Sequence, residues 1–163
     1  MTSLGIILLE KRSTPFKASS PEEIIALGAE YLQTVNTLDF ALLFGSHTRG
    51  KVTPFSDVDI GIHTTPKLSL LELGGMVTDL EAMFGCPVDV IRLNDLYRDK
   101  PAFAMEIVKT GRLMVCPNRR QYVEFKRLTY LFYMDTQWLR DKVKAQFRKR
   151  LESGRFGERN YVG

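Results

Sequence analysis

Residues 45–59 read GSHTRGKVTPFSDVD: a Gly-Ser pair, ten intervening residues, then two aspartates, Asp57 and Asp59, separated by one residue. Just upstream, residues 38–44 (LDFALLF) form a short apolar run that reads as a buried strand and stops abruptly at Gly45-Ser46. The backbone is expected to turn there. Glycine lets an anion approach the main chain closely, and a short helix opening at Ser46 would turn its free amide groups toward a phosphate. Ser46 adds a hydroxyl, and Arg49 a planar fork suited to phosphate oxygens or, equally well, to a nearby acid.

Downstream of the turn, a strand projects alternate side chains to opposite faces. Asp57 and Asp59 therefore share one face, while Val58, Ile60 and Ile62 line the other. A third aspartate, Asp89, sits in CPVDVIRL, where Val88 and Val90 take one face and Asp89 the other. If the two strands are neighbours, three carboxylates converge. Like charges held this closely are tolerated best when divalent cations neutralise them, and Mg2+ prefers hard oxygen ligands shared with substrate phosphates. Two metal ions held by Asp57, Asp59 and Asp89 suit an in-line phosphoryl displacement. Asp89, not paired in sequence, is placed to take the proton of an acceptor hydroxyl.

The segment from about residue 38 to residue 115 resembles the minimal nucleotidyltransferase branch of the polymerase-beta-like superfamily, through GSHTRG, SDVDIGI and VDVIRLNDL. It is similar in particular to the nucleotidyltransferase (MNT) antitoxins paired with HEPN-domain toxins. The resemblance implies an α/β (α+β) polymerase-beta-like fold, a small mixed sheet flanked by helices. It implies an adenylyltransferase that uses ATP and Mg2+ to place AMP on a tyrosine hydroxyl of a cognate HEPN ribonuclease, neutralising it. On that reading Gly45 and Ser46 hold the nucleotide, Asp57 and Asp59 bind metal, and Asp89 supplies the third carboxylate. Many members carry a small alanine before the arginine of the loop, where this chain has Thr48, so the departure touches loop packing more than chemistry.

Composition bounds the rest. With 163 residues, 44% of them hydrophobic, the chain fits one globular unit with a real core. The apolar run LGIILL at residues 4–9 is too short to span a membrane and is followed at once by Glu10, Lys11 and Arg12. It reads as an edge strand, a contact arm or a frayed terminus, and no export signal is evident. Cys86 and Cys116 each precede a proline and suit free thiols in a reducing cytoplasm, while His47 and His63 lack zinc-site spacing. His63 follows an aspartate-bearing strand, which leaves a supporting role behind the site open, but it reads first as an ordinary strand-end histidine.

Three segments are expected: an N-terminal extension at 1–20, a nucleotidyltransferase core at 21–116, and a basic aromatic-rich helix and tail at 117–163. Ser20-Pro21-Glu22-Glu23 is a helix start predicted to run to about Val35. Residues 68–84 carry a helical apolar pattern stopped by Gly85, residues 101–110 a further helix ended by Gly111, and residues 113–115 a short closing strand. From residue 119 on, twelve Lys or Arg face five Asp or Glu, against eleven and fourteen before it. Tyr122, Phe125, Phe132, Leu139, Val143 and Phe147 recur on one helical face, predicting a single long helix of about 40 Å. That stripe suits packing on the core or on a partner protein or second copy. The basic surface leaves nucleic acid open as a partner, which net charge alone does not establish. Two other functions compete: an antitoxin that acts by binding alone, and transfer to a small hydroxylated molecule such as an aminoglycoside.

Overall fold

In the computed structural model, which describes residues 20–50 and 56–152, Leu38–Phe44 forms strand β1 with every residue buried. The apolar run at residues 4–9 and the glycine-rich end at 153–163 lie outside the described residues. Phe40, Leu42 and Phe44 pack to one side of the sheet with Leu93, Ala104, Ile107 and Phe125. Ala41 and Leu43 pack to the other with Ile24, Leu32, Val58, Ile60, Ile62, Leu80 and Phe84. Burial on both sides is why the run is apolar at every position but Asp39. Leu38 joins the Ala41 side because an irregularity between Leu38 and Phe40 shifts the register.

β2 (Val58–Thr64) pairs antiparallel with β1, β3 (Val88–Arg92) pairs parallel with β2, and β4 (Arg112–Val115) pairs antiparallel with the other edge of β1. The result is a four-stranded mixed sheet of order β3-β2-β1-β4. The parallel pair needs a crossover, and α2 (Leu70–Phe84) supplies it between β2 and β3. Ser69 accepts from the Glu72 amide while Glu72 reaches back to the Ser69 amide, so the helix starts at Leu70, two residues after its apolar pattern begins. It ends at Gly85, whose φ of 67° is left-handed. α1 (Pro21–Leu32) begins with the same reciprocal cap between Ser20 and Glu23, and both helices cover the Ala41 side.

The opposite side is covered by α3 (Leu96–Asp99), α4 (Pro101–Thr110) and α5 (Arg119–Asp135). Tyr122 and Phe125 of α5 meet Phe40 with ring centroids 5.1 and 5.6 Å apart, and Phe132 meets Tyr97 at 5.2 Å. The single C-terminal helix expected from the stripe is instead two: α5 ends at Asp135 and α6 (Gln137–Glu152) follows after Thr136. The Thr136 hydroxyl bonds the Phe132 carbonyl at 2.7 Å, and Arg140 donates to the Tyr133 carbonyl at 2.6 Å. Side chains thus compete with the backbone ladder there, which interrupts the helix. Phe125 is buried, whereas Leu139, Val143 and Phe147 are exposed. The stripe therefore packs on the core only in its first half.

Candidate active site

Phe44 pairs with Asp59 across β1 and β2, so the turn that follows Phe44 lies directly against the Asp59 side chain. Gly45 turns with φ 74°, and a Cβ there would stand 1.9 Å from Asp59 Oδ2. Only glycine satisfies both the left-handed backbone and that contact. The short helix expected at Ser46 is a single 3-10 turn over Gly45–Thr48, and the Thr48 hydroxyl closes it on the Gly45 carbonyl at 3.1 Å. The Ser46 backbone amide lies close enough to the Asp59 carboxylate to favour its charged form.

The parallel register sets Asp59 opposite Asp89, on the sheet side shared with Phe44, while Val58 and Ile60 face the other core. Asp57 falls in the segment entering β2, one residue before the strand begins. Asp57 and Asp89 are exposed and Asp59 is partly buried. Burial pushes the Asp59 carboxyl above its ordinary range, and the negative charges of Asp89 and Asp57 push it further, against the opposing effects of His47 and the Ser46 amide. The charges of Asp57 and Asp89 are therefore felt at Asp59. Among the described residues no group of three His, Cys, Asp or Glu side chains closes to metal-holding geometry, so the trio is neighbouring without forming a cage. Three hard oxygen donors whose charges repel are nonetheless the donor set that suits a divalent cation.

Arg49 forms an ion pair with Glu106 of α4, which takes its fork to a carboxylate and anchors the end of the turn to a helix. His47 is buried, and neither ring nitrogen has a partner among the described residues. Sequence reasoning set His47 aside with the zinc question and had no signal for Glu106, because the contact spans 57 positions. His63 lies at the other end of β2. Its Nδ1 is 2.9 Å from Asp39 Oδ2 and its ring stacks on Phe40, the structural role expected of it. Cys86 and Cys116 are not joined in a disulfide.

Comparison with known proteins places this geometry. No curated protein matches the chain significantly. Among solved structures, a toxin-antitoxin complex with AMP-PNP matches at TM-score 0.54 and 17% identity, covering 81% of this chain and 98% of the other. A Shewanella oneidensis protein matches at TM-score 0.61 and 15% identity, covering 79% and 99%. A complex of a tri-AMPylated Shewanella oneidensis HEPN toxin with MNT antitoxin matches at 0.51 and 15%, covering 83% and 98%. At these identities the likeness concerns the fold. The family model of the polymerase beta nucleotidyltransferases matches residues 28–120, more than half of the chain and all four strands of the sheet. With the Gly-Ser turn set against an aspartate that pairs in register with another, the chain belongs to the polymerase beta nucleotidyltransferase family.

Proposed function

We propose that the chain is the nucleotidyltransferase antitoxin of a HEPN toxin pair, transferring AMP from ATP to a tyrosine hydroxyl of its cognate HEPN ribonuclease and so neutralising it. The observation that carries this is the register of Asp59 with Asp89 beside the Gly45-Ser46 turn. Support comes from the fold shared with a toxin-antitoxin complex holding AMP-PNP and with one whose HEPN toxin is tri-AMPylated.

In this reading the absence of a side chain at Gly45 lets the triphosphate approach the main chain, and the Ser46 amide exchanges its Asp59 contact for a phosphate oxygen. Asp57, Asp59 and Asp89 would hold Mg2+, which when bound neutralises charge on the phosphates and the departing pyrophosphate. Asp89, exposed at the sheet edge strand, accepts the proton of the tyrosine hydroxyl as its oxygen bonds to the α-phosphorus. The bond to the β-phosphate breaks and pyrophosphate leaves. Arg49 reaches a phosphate only by leaving Glu106, so its role in nucleotide binding requires that exchange.

The test is incubation of the full chain with α-labelled ATP, Mg2+ and the HEPN-domain protein encoded beside it. Label on a tyrosine of that protein is expected, and Asp89→Asn should slow it by about 10²–10⁴-fold. Absence of label in the wild-type reaction would sink the proposal. Full neutralisation of the toxin by Asp57→Ala/Asp59→Ala would show that binding alone suffices.

A further inference from the structure

Helix α6 has no buried residue, yet Leu139, Val143, Phe147 and Leu151 recur on it every four positions, exposed by 47, 56, 55 and 50%. A helix of 16 residues is marginal in water without a packed face, so covering this stripe stabilises it. Apart from Trp138 in its first turn, 66% exposed, one large residue per turn makes a narrow seam, the width of a helix-helix contact, narrower than the broad apolar face a bilayer-surface helix presents.

Charge selects the occupant. α6 carries six Lys or Arg against two acids. At 100° per residue, Lys142 and Arg150 flank one side of the seam and Lys144 and Arg148 the other, with Glu152 at the end of that second flank, while Asp141 falls on the back. A second copy of this helix would set cations against cations on both flanks. A nucleic-acid backbone would satisfy the cations and leave Leu139, Val143 and Leu151 in water. A protein groove with an apolar floor and a rim of Asp and Glu satisfies both features.

We infer that α6 is the docking element for the acceptor protein, which presents an apolar helical groove rimmed by carboxylates. This rests on the toxin-pair reading above and adds that the acceptor is held by a helix remote in sequence from the three aspartates.

The experiment uses the full chain and the neighbouring HEPN-domain protein, with calorimetry for their association and a separate titration with ATP and Mg2+. Leu139→Asp/Val143→Asp should weaken association on the order of tenfold or more and leave nucleotide affinity and the melting curve unchanged. Lys142→Glu/Lys144→Glu/Arg148→Glu should weaken it too and flatten its salt dependence. Equal affinity of wild type and the seam variant for the HEPN protein overturns the docking assignment alone. No association of the wild-type chain overturns the toxin-pair reading with it. A self-dimer that the seam variant dissolves, or seam-dependent binding to phosphatidylserine vesicles, overturns the acidic-groove occupant.

Discussion

Gly45 is the residue on which the site turns. Replacing it with alanine demands both a left-handed backbone and displacement of the Asp59 carboxylate from 1.9 Å. We expect Gly45→Ala to cost about 1–3 kcal/mol of stability and to abolish nucleotide binding, measured by urea unfolding and by titration with ATP. At the other end of the sheet, buried Asp39 accepts hydrogen bonds from Thr65 at 2.6 Å, Asn118 at 2.8 Å and His63 at 2.9 Å. Burial pushes its carboxyl up, but the bonds from Thr65, His63 and Asn118 outweigh this and hold it below the ordinary range. Because the folded value lies below the unfolded one, the stabilisation is present above the unfolded value and is lost as pH falls through the folded one. Acid titration of the melting temperature should therefore show a loss below about pH 4 that is smaller in Asp39→Asn. Asp39→Ala, which leaves the buried His63 ring and the less buried Asn118 and Thr65 without their acceptor, should cost about 1–3 kcal/mol. His63 was readable as structural from its position, but its carboxylate partner 24 residues away was not.

At the scale of elements, local signals carried most of the boundaries. The Ser20 cap, the Gly85 stop, the proline start of α4 and the closing strand β4 stand where the residues predict them. The break at Thr136 does not announce itself, because the apolar stripe runs on through it and the competing bonds from Thr136 and Arg140 form only once the helix exists. α2 is the crossover that sets Asp89 opposite Asp59, so its caps support the site from a distance. Ser69→Ala should cost about 1 kcal/mol through loss of the reciprocal cap, and Gly85→Ala a similar amount through the left-handed backbone. Chemical denaturation checks both, and their sum in the double variant checks that the two ends act independently.

For the whole molecule, a nucleotide that binds only the folded chain must stabilise it. ATP with Mg2+ at about 100 times its dissociation constant should add about 2.7 kcal/mol, read as a rise in melting temperature that chelation of the metal largely removes. Removing residues 141–152, none of which is buried, should leave the melting temperature within a few degrees while association with the HEPN-domain protein is lost. The residues by themselves determined the family and the buried central strand and singled out three aspartates as candidates, because glycine turns, strand alternation and helix caps are properties of a few neighbouring residues. Tertiary structure alone decided that Asp89 stands in register with Asp59, that Arg49 pairs with Glu106, that His47 is buried beside the aspartates' field, and that the C-terminal stripe divides into a packed half and an exposed half. Each of these depends on which elements lie side by side, a matter of packing between segments far apart in the chain that no local spacing encodes.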